Sequence, residues 1–141
     1  MAQKYVIKEI YTDGYERFVA IEGMEHDVRL NVHCYQYDEY IESGEESRKK
    51  KKDDILIGDL SIELVTICEK VNKELFHCQE IKNSPHIEAV VEVAQIIDKY
   101  SIYANSSMID DAVLIEFEDI RDYKRGDRIF VKGELKLYAI K

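Results

Sequence analysis

The chain contains no tryptophan, a single proline and three cysteines among its 141 residues. Three cysteines are too few, and odd in number, for a disulfide scaffold, so a reducing, cytoplasmic setting is expected. The six glycines sit at plausible turns or bends and look structural. No apolar run exceeds four residues, so no membrane-spanning helix is expected. The opening MAQKYVIKEIYTDG lacks the apolar segment of a signal peptide. Also missing are a Walker phosphate loop, a glycine-rich dinucleotide fingerprint, a nucleophile elbow and a His-Glu-x-x-His zinc helix. An enzyme would have to be built from scattered residues, and no cofactor is expected.

What is present favours strands. Isoleucine, valine and ten tyrosines outweigh alanine and leucine. The 45% apolar content is enough for one ordinary core. Segments 4–12 and 17–22, separated by Asp13-Gly14, read as paired strands. Segment 27–37 alternates: Val28, Leu30, Val32 and Cys34 on one face, Arg29, Asn31, His33, Tyr35 and Tyr37 on the other. Strand character returns at 55–57 and 60–67, then at 86–97, 101–105, 112–120 and 128–140. The fold class expected is mainly β with little helix: two similar antiparallel halves, each an OB-like barrel or a β-sandwich. The first half spans 1–68 with a charged loop at 42–54. A connector spans 69–85 and holds Asn83-Ser84-Pro85, and the second half spans 86–141; together they can also form one compact domain. Val28, Leu30, Val32, Leu60, Ile62, Leu64, Val91, Val93, Val113, Ile115, Phe117, Ile129, Val131, Leu135 and Leu137 are expected in the core.

The two halves echo each other. Asp54-Ile55-Leu56-Ile57-Gly58-Asp59-Leu60 aligns, with a small gap, with Asp127-Arg128-Ile129-Phe130-Val131-Lys132-Gly133-Glu134-Leu135. A duplicated β unit accounts for this; so does the general likeness of small β units. The stretch from Gly126-Asp127 to Gly133-Glu134-Leu135 resembles the last two strands of an oligonucleotide/oligosaccharide-binding (OB) fold, where a Gly-Asp turn enters strand four and a glycine bends the chain into strand five. The resemblance covers 87–141 in order and 5–67 more loosely. It departs from the OB pattern at Asp119–Lys124, a short connector where that fold usually carries a helix.

The resemblance places Arg29, Asn31, His33, Tyr35 and Tyr37 on the strand-three face where such folds commonly take ligands, with tyrosines for stacking and Arg29 near a phosphate or sugar. An ordinary exposed strand face has the same composition. His33-Cys34, His77-Cys78, Cys68, His26 and His86 offer metal-ligand chemistry, but lack ligand-loop spacing, so no metal is expected. The run Arg48-Lys49-Lys50-Lys51-Lys52 is flanked by Glu42, Glu45, Glu46, Asp53 and Asp54, which screen it. It reads as a solvated, mobile loop whose deletion leaves stability nearly unchanged.

The net charge of −9 repels polynucleotides at long range and favours a basic protein. The function expected is therefore a non-enzymatic acidic protein-binding module of inhibitor or immunity type that neutralises a basic partner. The alternative is an OB-type binder of single-stranded nucleic acid or another extended ligand, which charge disfavours. Exposed sheet edges are candidates for partner binding, with Glu63, Glu116, Glu118 and Glu134 limiting self-association. Glu116 and Glu118 join the tyrosine row as candidate contact residues. No membrane partner is expected.

Overall fold

A computed structural model of the chain describes residues 2–139. Among these residues there are nine strands and no helix: β1 (Gln3–Asp13), β2 (Glu16–Gly23), β3 (Arg29–Tyr35), β4 (Ile55–Lys70), β5 (Phe76–Cys78), β6 (His86–Ile96), β7 (Ser101–Asn105), β8 (Val113–Phe117) and β9 (Arg128–Ala139). β-branched residues on alternate positions and tight Asp-Gly or Gly turns account for most of these limits. The expected connector is partly strand, since β4 runs on to Lys70 and β5 lies within it.

Two long strands organise the barrel. β1, β2 and β3 form an antiparallel meander. β3 meets β9 in parallel at His33 and Lys136. β9 runs antiparallel to β4, and β4 returns to β1 through Ile55–Gly58. A second circuit repeats the plan. β6, β7 and β8 form a meander, β8 meets β4 in parallel at Leu114 and Ser61, and β9 returns to β6. β4 and β9 belong to both circuits. Closure leaves few free edges, which limits sheet-to-sheet association.

The turns entering β4 and β9 match bond for bond. Ile7 N–H donates to Asp54 O at 2.9 Å, and Asp53 N–H donates back to Ile7 O at 2.8 Å. Val93 N–H donates to Asp127 O at 2.8 Å, and Gly126 N–H to Val93 O at 2.8 Å. The Asp54 carboxylate accepts from Lys51 N–H, and that of Asp127 from Lys124 N–H, both at 2.9 Å. Asp53 (φ +75°) and Gly126 (φ +93°) occupy the same left-handed position, which the turn requires and which a glycine adopts without strain. Further along, a Cβ on Gly58 would lie 2.5 Å from Tyr138 O, and one on Gly133 2.6 Å from Glu63 O. Both glycines therefore let β4 and β9 approach each other closely.

The core-facing residues of both circuits form one continuous cluster, from Tyr5, Ile7 and Ile21 to Ile115, Ile129 and Leu135. The expected core residues join it, with two differences. Val28 packs against the cluster only partly buried. Leu64 is 49% exposed. It sits with φ +51° inside the irregularity between Glu63 and Ile67, where the β4–β9 register shifts and the alternation breaks.

The charged loop packs against the barrel, contrary to the mobility expected of it. Arg17, on the core side of β2, is fully buried. Its guanidinium donates to Gly14 O and Glu16 O, each at 2.9 Å, and to Glu39 O at 2.6 Å and Glu39 Oε1 at 3.2 Å. Glu39 also accepts from Ser47 Oγ and from Arg48 N–H at 2.9 Å. Ser47 and Lys50 are buried, and Lys50 Nζ donates to Gln36 Oε1. Burial pushes the Lys50 ammonium below its ordinary range and the Cys34 thiol above its own. Burial opposes ionisation of Glu39 too, but hydrogen bonds from Ser47, Arg48 and Arg17 outweigh it and hold the carboxyl low.

Candidate functional site

The site follows from cross-strand register. His33 on β3 faces Phe18 on β2 and Lys136 on β9. Lys136 faces Ser61 on β4, Ser61 faces Leu114 on β8, and Leu114 faces Tyr103 on β7. Directly paired residues share a face. One row of side chains thus crosses six strands on the side opposite the core. The flanking positions on the same face, two residues away along each strand, are Glu16, Tyr35, Tyr138 and Asp59 on one side, and Asn31, Glu134, Glu63 and Glu116 on the other. Two sets of candidate residues that are far apart in sequence, the β3 row and Glu116, therefore lie on one surface. Arg29 is exposed near the start of that row, and Glu118 is exposed just beyond β8.

An aromatic run crosses one end of this face. Phe18 stacks on His33 at 4.9 Å between ring centres, and His33 meets Tyr35 edge-on at 4.6 Å. Tyr35 stacks on Tyr37 at 5.2 Å with 6° between planes. Tyr15 continues the run to Tyr40 at 5.2 Å. Tyr37, 76% exposed, presents an open ring to solvent. Lys136 Nζ lies 5.7 Å from the Tyr35 ring centre, within cation–π reach.

His33 is not the exposed side chain that alternation implies. It is 4% exposed, covered by its aromatic neighbours. Burial lowers its pKa; Glu16 and Glu134 pull it up and Lys136 pushes it down. The Glu16 carboxylate lies 3.2 Å from Nε2, and burial works against the protonated ring that an ion pair there would need.

Carboxylates dominate the other end. Lys136 Nζ lies 3.5 Å from Glu63 Oε1, with both side chains 13% exposed, and Tyr138 donates its hydroxyl to the same carboxylate. Burial opposes the Lys136 ammonium, yet Glu63, Tyr35 and Glu134 hold its pKa above the ordinary value. Glu116 shows the reverse. Burial first, then repulsion from Glu63, Asp98 and Glu118, raises its carboxyl pKa against the pull of Lys136. The surface there is acidic enough to resist one of its own charges.

One residue has no signal in the sequence pattern. Gln79 Oε1 accepts from Asn31 N–H at 2.8 Å, and its Nε2 donates to Asn31 O at 2.7 Å. Its amide takes the place of a strand partner where β3 and β9 diverge. The backbone of Asn31 is thus paired by a side chain from the segment between β5 and β6.

Reactive groups lie elsewhere and apart. Ser107 Oγ is 2.6 Å from His77 Nδ1, and burial lowers the His77 pKa. Among the described residues no acid is hydrogen-bonded to the far nitrogen of that ring, the orienting contact a nucleophilic serine needs. The cysteines are free, and no three His, Cys, Asp or Glu side chains of the described residues gather closely enough to hold a metal. Among the described residues no helix is long and apolar enough to cross a membrane. No family model matches the chain, and no curated protein or solved structure is detectably similar to it.

Proposed function

We propose that this chain is a non-enzymatic cytoplasmic binding protein, of inhibitor or immunity type, that docks a basic protein on the six-stranded face described above. The observation that carries the reading is Glu116. Its carboxyl is held up first by burial and then by Glu63, Asp98 and Glu118, and a cationic partner would relieve the repulsive part on binding. Glu16, Asp59, Glu63, Glu116 and Glu134 surround the face, while its central cation, Lys136, is already neutralised by Glu63. Tyrosines beside carboxylates suit lysine and arginine side chains, which take both cation–π and charge-assisted contacts.

The same reading treats the two circuits as copies of one five-strand OB-like unit that exchange their long strands. The matched bonds at Asp54 and Asp127, and the paired glycines, support duplication. The two circuits also share the strand order of a meander, a parallel contact and an antiparallel return.

A second reading, an OB-type binder of single-stranded nucleic acid, is favoured by one observation. Tyr35 and Tyr37 are parallel, and Tyr37 is open on its outer side, the geometry of a base-stacking platform.

Capture from the native cell after nuclease treatment separates the two. Recovery of one stoichiometric basic protein, lost in a Glu63→Lys/Glu116→Lys variant, supports the first. Tight binding of an oligothymidylate at physiological salt, lost in Tyr37→Ala, supports the second and overturns the first.

A further inference from the structure

The acidic face has a groove at its β4–β8–β7 end, of about 540 Å³, lined by Asp59, Ser61, Gln95, Tyr103, Leu114 and Tyr138. This volume suits a specific small group. Two phenol rings border it, and Tyr138 and Asp59 are direct cross-strand partners. Among the described residues Asp59 is in no ion pair, and its charge contributes to raising the pKa of the buried Tyr5 phenol below it. Asp111 adds a second carboxylate at the wall, where it also accepts a 3.4 Å bond from Gln3.

Independent of those charges, Ser61 is 1% exposed and its Oγ has no hydrogen-bond partner. Register with Leu114 and Lys136 puts its side chain on the groove face, not the core face. A buried hydroxyl left unpaired costs free energy until a ligand or water supplies its partner.

The geometry points to this groove as the receptor for an arginine side chain of the basic partner. The inference rests on the protein-binding reading above and specifies its chemistry. A guanidinium is planar, so its faces lie against phenol rings while its edge donates several hydrogen bonds at once. The groove presents that combination: Tyr103 and Tyr138 for the faces, the Asp59 carboxylate as an acceptor, and Ser61 Oγ as a neutral acceptor at the floor. Lysine, a compact ammonium without a stacking plane, satisfies only part of it.

The test is an amide NMR titration of the full chain with three blocked tripeptides, Gly-Arg-Gly, Gly-Lys-Gly and Gly-citrulline-Gly. Saturable shifts at Ser61, Tyr103 and Leu114 with the arginine peptide, at least threefold weaker with lysine and absent with citrulline, are expected. Asp59→Asn and Tyr103→Ala should each weaken the arginine peptide at least threefold while leaving the remaining spectrum unchanged. Equal binding of arginine and citrulline, or arginine shifts untouched by both variants, overturns the groove. Arginine shifts confined to Glu116 and Glu118 also overturn it, yet leave the basic-partner reading standing. Failure of any basic protein to bind the six-stranded face of the parent chain, with tripeptide binding intact, overturns the broader reading instead.

Discussion

Ser61 on β4 and Lys136 on β9 are direct cross-strand partners, and each is where its strand contacts the third strand of a circuit. Lys136 pairs with His33 of β3, and Ser61 with Leu114 of β8, both in parallel. This arrangement of one antiparallel pairing and one parallel contact occurs in each circuit. It also places the centre of the six-stranded face on the two strands that the circuits share.

The matched turns give the first prediction. Asp54→Ala and Asp127→Ala each remove a carboxylate that accepts a backbone N–H three residues upstream. Urea unfolding should show losses of similar size in the two variants. A loss in one variant only would mean that the turns are not equivalent.

Arg17 holds the end of the first circuit. Arg17→Ala leaves Glu39 facing a buried site without its guanidinium, and should cost about 3–5 kcal/mol. Deleting 42–54 should lower the melting temperature substantially, since Ser47 and Lys50 are buried against the barrel. An unchanged melting temperature in either variant would contradict the packed loop.

His33 makes stability sensitive to mild acid. Its folded pKa lies below the ordinary 6.5, so between the two values the unfolded chain binds more protons. Stability from this group is present above 6.5 and is lost as pH falls through the folded value. His33→Leu should therefore lose less stability than the parent between pH 7 and pH 5. Equal losses would place the acid sensitivity elsewhere.

Glu116 has the opposite sign. Its folded pKa lies above the ordinary 4.5, so the folded state binds more protons in that window and its ionisation is destabilising as pH rises. Glu116→Gln should raise the melting temperature at pH 7 and leave it nearly unchanged at pH 4, where both states are largely protonated. A lower melting temperature at pH 7 would show that the charge is stabilising.

Strands and core were legible because alternation is local: Leu30, Val32, Ile115 and Leu135 are buried as their spacing implies. Leu64 was not, because a register shift between two distant strands decides its face. The burial of Lys50 was illegible for a similar reason, since it depends on Arg17 and Glu39 folding over the barrel end. The β3 row was visible as a stripe, and Glu116 as an isolated acid. The parallel contacts at His33–Lys136 and Ser61–Leu114, joined by the Ser61–Lys136 pairing, unite them, and no local pattern encodes pairings between residues 103 and 53 positions apart.

The central claim is that a basic protein docks on this face through its charges. The direct measurement is the association rate of the captured partner, by stopped flow at rising salt, for the parent and for a Glu116→Lys/Glu118→Lys variant. We expect the parent's rate to fall as salt rises, the variant's rate to be slower by about tenfold or more at low salt, and the two to converge at high salt. Equal rates for parent and variant at low salt would contradict the claim.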